Sequence, residues 1–173
     1  PHCDEWVDMP PLEVDENGEV RLGSSNASGG IAVEGCLVAY ASGAEVYLYD
    51  LATNRERLVS GWIGTPYSIA LNGGNLLFDR LDCDDTSCEH SLEIQDVTTC
   101  SRGRFGVRSR ASDVTWGYRS LIVSGTRAVW SELQDHGCNR IAMLNLRTGE
   151  SRFLTELDGA CHAGPGLSGD WLT

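Results

Sequence analysis

The chain has 173 residues, of which 41% are hydrophobic and 22% are charged, and this composition is typical of one folded domain. Its 25 acidic residues outnumber 13 basic residues and give a formal net charge of -12. This balance argues against nucleic acid or an anionic membrane surface as a partner, because phosphate groups attract clustered basic side chains. No apolar run approaches the roughly 18 residues of a membrane-spanning helix. The 20 glycines predict many tight turns between short strands.

The first predicted element is a hairpin near the N terminus. Residues 12–14 and 19–22 alternate as two short strands do, and the turn sequence Asp15-Glu16-Asn17-Gly18 lies between them. This hairpin resembles the second half of a unit that then repeats along the chain.

Each repeat begins with a short apolar strand, a polar residue with Gly, and a second apolar strand that ends in an aromatic residue. In the three complete copies the aromatic residue follows the Gly by five positions. A fourth copy begins at Gly166 and stops at Thr173. The Gly and aromatic pairs are Gly35 and Tyr40, Gly73 and Phe78, and Gly125 and Trp130.

A second pattern follows each complete first one. An alternating strand runs into Asp or Asn, then into a Thr-containing turn and a return strand, at residues 46–54, 92–100 and 141–149. Asp and Asn suit this turn because their side chains accept hydrogen bonds from nearby backbone N–H groups.

The two patterns together predict four strands, A to D, in an antiparallel meander, and its repetition predicts an all-β propeller. Whole blades are expected at residues 28–60, 66–107 and 118–157, with half-blades at 1–25 and 163–173. A β-sandwich is the rival fold, but it gives no reason for the aromatic residue to recur in phase with the Asp-Thr turn. No segment has the periodicity of a helix.

The stretches at residues 46–60 and 141–155 resemble the TolB-type bacterial propeller repeats, in which a strand enters an Asp-Leu-x-Thr-Gly turn and returns. The resemblance implies the propeller fold and a surface that contacts other proteins. The two half-blades allow three interpretations: a ring closed by its own ends, a piece of a larger propeller, or strand complementation between chains. We prefer the second, followed by the third.

Seven cysteines without a Cys-x-x-Cys pair predict disulfide bonds and an extracellular or periplasmic location. In the predicted blades five of them share the face of the B–C and D–A connections, and two lie on the opposite face. The short loop between Cys83 and Cys88 favours a bridge there. The further candidates are Cys138 with Cys161, its competitor Cys3 with Cys161, and Cys36 with Cys100.

All four histidines neighbour cysteines on the first of these faces. Imidazole and thiolate are ligands that zinc prefers, so a metal or pH-responsive site is one interpretation. Polar loops that collect both residue types, with the sulfurs used in disulfides, are the preferred one, and we expect no cofactor. The candidate ligands are His2, His90, His136 and His162.

The sequence contains no nucleophile elbow, zinc-protease helix or phosphate loop, which argues against an enzyme. Asn26 begins a glycosylation sequon. Four aromatic residues precede A strands, where they could rim a face that binds a protein or a sugar, although packing between blades explains them equally well. They are Trp62, Tyr67, Trp116 and Tyr118.

These patterns favour a non-enzymatic secreted or periplasmic propeller scaffold for protein–protein interaction, within a larger protein. Two alternatives stay open at this point. One is an extracellular structural subunit that assembles with copies of itself by strand complementation. The other is the propeller module of a glycoside-acting or peptidase enzyme.

Overall fold

The structure is a computed structural model that describes residues 5–13, 15–19, 30–60, 68–83, 87–111, 118–133, 139–155, 165, 167–168 and 171–172. Strand residues 81–83, 87–90, 104–111, 118–119, 132–133, 139, 167–168 and 171–172 are described by their backbone alone. The described residues form an all-β fold without a helix, as the sequence predicts.

Three antiparallel sheets follow one another along the chain, and each is built around a four-strand meander. The first contains β1 (Val7–Asp8), β2 (Ile31–Glu34), β3 (Leu37–Ser42), β4 (Glu45–Asp50) and β5 (Arg55–Ser60). The second contains β6 (Ile69–Asn72), β7 (Asn75–Cys83), β8 (Ser87–Asp96) and β9 (Arg102–Ala111). The third contains β10 (Tyr118–Ser124), β11 (Arg127–Leu133), β12 (Asn139–Asn145) and β13 (Ser151–Phe153), and a two-strand hairpin follows with β14 (Leu167–Ser168) and β15 (Trp171–Leu172).

The N-terminal segment differs from the predicted hairpin. Strand β1, which the sequence analysis does not predict, pairs with the outer edge of the first sheet, where Asp8 lies opposite Arg55. Leu12 and Glu13 lie outside any strand, although the turn that follows them forms, with the Asp15 N–H donating to the Glu19 carbonyl at 2.9 Å. The pairing with β5 therefore holds this segment against the first sheet before the turn begins.

The turn between the first two strands has the same backbone in all three sheets. Gly35, Gly73 and Gly125 have φ angles of 57°, 59° and 56°, in the left-handed region that Gly occupies without strain. The equal geometry explains why Gly recurs here and confirms that the three turns are equivalent.

The sheets pack face to face in chain order. The side chains of Phe78 and Leu76 pack with Leu48 of the first sheet, and Trp130 packs with Leu77 of the second. In the second and third sheets the aromatic residue five positions after the Gly therefore fills the layer against the preceding sheet, whereas Tyr40 of the first sheet packs with Met9 and Leu12 of the N-terminal segment. Strands β2, β6, β10 and β14 lie in successive contact along the same edge of this stack.

Hydrogen bonds link the equivalent turns of neighbouring sheets. The Gly73 N–H donates to the Glu34 carboxylate at 2.6 Å, and the Gly125 N–H donates to the side-chain oxygen of Asn72 at 3.0 Å. In each case the residue before the Gly of one turn accepts from the Gly of the next turn. Repeated contacts of this kind fix both the spacing and the order of the sheets.

Candidate functional site

The second sheet extends beyond the first at the end opposite the glycine turns. Strands β7, β8 and β9 have nine, ten and ten residues, whereas β3, β4 and β5 have six each. Because β7 begins directly after its turn, as β3 does, the extra residues lie at the far end, and at about 3.3 Å per residue they project roughly 10 Å. We call residues 80–83, 87–91 and 105–111 the extended tip.

Buried polar contacts hold the base of the extended tip. Asp79 is almost fully buried, and its carboxylate accepts a hydrogen bond from the Ser68 N–H at 2.8 Å. The guanidinium of Arg80 lies 3.2 Å from the buried carboxylate of Glu93 on the adjacent strand. Because a buried carboxylate without a partner costs several kcal/mol, roughly 3–5, this pair orders the two strands where they leave the stack.

The extended tip carries the disulfide pair with the shortest predicted loop. Cys83 and Cys88 lie directly opposite each other in the register of β7 and β8. Opposed residues of an antiparallel pair have Cα atoms about 4.5–5.5 Å apart, within the range that a disulfide spans. The backbone geometry is therefore compatible with this bridge, which stays a prediction because it rests on side chains outside the described ones.

The pairing of Cys36 with Cys100 is wrong. Cys36 is an exposed free thiol, whereas Cys100 is disulfide-bonded and buried. Cys36 lies in the turn between β2 and β3, while Cys100 lies against the Arg57 guanidinium of β5, with Nη1 at 3.5 Å from its sulfur. Because Cys36 is free and Cys100 is bonded, the partner of Cys100 is another cysteine.

Most other predicted site residues lie outside the described part of the chain. His90 belongs to β8, with its backbone opposite Leu81, and Tyr118 begins β10 opposite Glu132. No group of three or more potential ligands with metal-binding geometry occurs among the described residues. The predicted site residues that lie outside the described part of the chain are Cys3, Cys138, Cys161, His2, His136, His162, Trp62, Tyr67, Trp116 and Asn26.

One strand of the second sheet is strongly basic, a feature that was not predicted from the sequence. Strand β9 carries Arg102, Arg104, Arg108 and Arg110, so four of the 13 basic residues of an acidic chain lie in one strand of ten residues. This strand is the outermost one of its sheet and runs into the extended tip. Guanidinium groups pair well with carboxylates. The four arginines within residues 102–110 are the signal in the sequence from which this strand could have been found.

The comparisons with known proteins assign no family. No protein-family model matches the chain, and a search of the curated proteins found no similar one. The described residues include no helix with the length and apolar character of a membrane span.

Proposed function

We propose that this chain is a propeller-type scaffold, extracellular or periplasmic and without catalytic chemistry, that binds a protein partner through the extended tip. Three observations support the propeller arrangement: the sheets are equivalent meanders, they stack in chain order, and their first strands lie in successive contact. The resemblance to TolB-type repeats is consistent with this arrangement and with a role in protein contact.

The extended tip is the observation that carries the proposal. The described strands of this hairpin continue about 10 Å beyond those of the first sheet, which is more than the packing of one four-strand meander on the next requires. The partly buried Arg80–Glu93 pair at its base presents the tip in a defined orientation. A preorganised projection of this kind suits recognition, because binding then costs less conformational entropy.

The arginines of β9 indicate the chemistry of the partner. An edge strand offers unpaired backbone groups, and arginines along it add carboxylate recognition. We therefore propose an acidic protein surface as the partner. The first strand of the second sheet favours this scaffold over an enzyme module. Ile69 and Leu71 of β6 are apolar and pack between sheets, whereas an enzyme of this type would have carboxylates on its first strands that converge at the axis.

Site-specific photo-crosslinking tests the proposal. A photoreactive residue at Glu89 in the extended tip is compared with one at Thr98, in an exposed turn at the other end of the same strand. Each variant is incubated with the extracellular or periplasmic fraction of the source cells. We expect a discrete crosslinked protein from position 89 alone, and equal crosslinking from both positions would contradict the proposal.

The charge of the partner is tested by a triple substitution. Arg104→Gln, Arg108→Gln and Arg110→Gln together should reduce the crosslinked yield at least about fivefold, because close charge pairs across an interface contribute to affinity. Arg147→Gln with Arg152→Gln is the matched control, since both residues are exposed on the third sheet. An equal loss in both variants would point to net charge and not to the extended tip.

A further inference from the structure

A buried guanidinium lies against the disulfide sulfur of Cys100, where the first sheet meets the second. Arg57 of β5 is 5% exposed and Cys100 is 8% exposed. The Arg57 Nη1 atom lies 3.5 Å from the Cys100 sulfur, and the Nη2 atom donates to the Val97 carbonyl of the same turn. The guanidinium carbon lies 4.8 Å from the centroid of the Trp6 ring. The sulfur therefore faces a fixed positive charge in a place with little access for water.

Packing of one sheet on the next does not require this pair. Arg57 and Gly103 are equivalent, because each follows the Asp that begins the preceding turn by seven residues and has the same place in the strand register. Cys100 and Gly149 are equivalent in the same way, and their φ angles are 61° and 74°. Where the second sheet meets the third, two glycines thus replace the cation and the sulfur, and those sheets stack nonetheless.

A positive charge next to one sulfur of a disulfide favours reduction of the bridge. Reduction releases each sulfur as a thiol or a thiolate, and a nearby cation stabilises the thiolate. A sulfur that is stable as a thiolate also leaves faster when another thiolate attacks the bridge. Burial lowers the pKa of Arg57, so a negative charge that forms beside it stabilises the guanidinium in return.

We propose that the Cys100 disulfide is a site of exchange with low-molecular-weight thiols, at which Arg57 stabilises Cys100 as the leaving thiolate. Because little of Cys100 is exposed, the incoming thiolate attacks the other sulfur of the bridge. The S–S bond breaks, and its electron pair stays on the Cys100 sulfur. The step is the same whichever cysteine supplies the other sulfur.

A second thiol completes the exchange. It attacks the mixed disulfide and releases the other protein sulfur, so the two donor thiols end as one disulfide. The donors lose two electrons in total, and the protein bridge gains them. Of the two protons that the donors release, one goes to the other protein sulfur. The second goes to solvent, because Cys100 stays a thiolate beside Arg57.

The redox equilibrium of the full chain tests this proton balance. The chain is equilibrated with reduced and oxidised glutathione in defined ratios, its thiols are trapped by alkylation, and mass spectrometry follows the peptide that contains residue 100. We expect the equilibrium constant for reduction to rise about tenfold per pH unit between about pH 6 and pH 7.5, because each reduction releases one proton. An equilibrium constant that does not change with pH, or a residue 100 that stays linked at every ratio, overturns the proposal.

Substitution of Arg57 tests the source of the stabilisation. Arg57→Met removes the charge, and we expect it to lower the equilibrium constant for reduction at pH 7 at least about tenfold, which is about 30 mV in reduction potential. Arg57→Lys keeps the charge and should change the constant less than about threefold. Arg55→Met is the matched control, since Arg55 binds the same Trp6 through its carbonyl at 2.8 Å, and it should leave the constant unchanged.

The rate of reduction by dithiothreitol separates this role from packing alone. An arginine that only packs would, on removal, loosen the contact between the sheets and expose the bridge, so reduction would become faster. Loss of thiolate stabilisation should instead slow reduction about threefold in Arg57→Met. A faster or unchanged rate in a variant that retains its strands by circular dichroism, or an equal effect of Arg55→Met, overturns the proposal. If Arg57→Met does not fold, the pH dependence of the wild-type equilibrium decides alone.

Discussion

Two tyrosines with stacked rings in the first sheet donate hydrogen bonds from their hydroxyl groups to carboxylates. The rings of Tyr40 and Tyr47 lie 5.5 Å apart, and the Tyr47 hydroxyl donates to Glu45 at 2.6 Å while that of Tyr40 donates to Glu56. The hydrogen bond to Glu45 raises the pKa of Tyr47 to about 12, and burial raises the pKa of Tyr40 well above its ordinary value. Both phenols are therefore held protonated by the fold.

We expect Glu45→Gln to lower the pKa of Tyr47 toward its ordinary value of 10.0, because the acceptor loses its charge. Since the folded-state pKa lies above the unfolded one, stability falls as pH rises from about 10 to about 12, and the substitution should weaken this dependence. Tyrosinate absorbance during an alkaline titration measures the pKa. Glu150→Gln, in the third sheet, is the control and should leave the titration unchanged.

The turn between the third and fourth strands uses the same side-chain hydrogen bond in each sheet. Asp50, Asp96 and Asn145 each accept from the backbone N–H two residues later, at 2.9, 2.8 and 2.9 Å. Hydrogen bonds from backbone N–H groups, the largest from Thr99, lower the pKa of Asp96. The turn therefore needs a side-chain acceptor at this position, and a negative charge is optional because Asn serves in the third sheet.

Replacement of Asp96 tests this requirement. Asp96→Ala should lower the free energy of unfolding by about 1 kcal/mol, because it leaves the turn N–H groups without their acceptor. Asp96→Asn should change it by less than about 0.5 kcal/mol near neutral pH. Because the folded pKa of Asp96 is lowered, the difference between Asp and Ala should shrink as pH falls through that pKa. Urea denaturation measures the free energy of unfolding of both variants. Equal losses in Asp96→Ala and Asp96→Asn would contradict the need for a side-chain acceptor in this turn.

The surroundings of the Cys100 sulfur indicate the partner of its disulfide. Arg57 contacts both the Cys100 sulfur and, with its guanidinium 4.8 Å from the ring centroid, Trp6. Cys3 is three residues from Trp6, a span of up to roughly 10 Å of extended chain. Cys88 lies at the other end of β8, roughly 30 Å from Cys100 at 3.3 Å per residue. We therefore expect Cys3 to be the partner.

Peptide mapping without reductant checks this pairing. The expected product is a peptide that contains residue 3 linked to one that contains residue 100, with Cys36 alkylated because it is free. Cys3→Ser should free the Cys100 thiol, while Cys36→Ser should remove only the alkylated product of residue 36 and leave the linked peptides unchanged. A link from Cys100 to any other cysteine would show that the N-terminal segment is not fastened to the second sheet.

The repeat allowed the strands to be predicted. Gly35 and its equivalents mark the turns, because Gly adopts a positive φ without strain, and Phe78 and Trp130 mark the strands that pack between sheets. Strand β1 could not be predicted, since two residues carry no periodicity and Val7 is in a strand only because β5 offers an edge. The extended tip was missed for a similar reason. Arg80 pairs with Glu93 across the hairpin where its strands continue past the first sheet, and the spacing of residues in the sequence alone does not reveal that pairing.

At the scale of the whole molecule, stability depends on layers shared between sheets. Phe78 is fully buried in the layer that also contains Leu48 and Val59 of the first sheet. One repeat cannot bury its own hydrophobic faces, and stacking on its neighbours buries them, so each sheet depends on the sheets beside it. The contacts between successive turns add a polar component to the same interface.

Phe78→Ala therefore tests whether the stack unfolds as a unit. The cavity should lower the free energy of unfolding by about 3–5 kcal/mol, whereas Phe153→Ala, in an exposed strand, should cost less than about 1 kcal/mol. Amide hydrogen exchange should show lost protection in β3 and β4 of the first sheet as well as in β7, because the missing ring belongs to both sheets. Protection lost in the second sheet alone would mean that the sheets fold independently, since the layer between them would then not couple their unfolding.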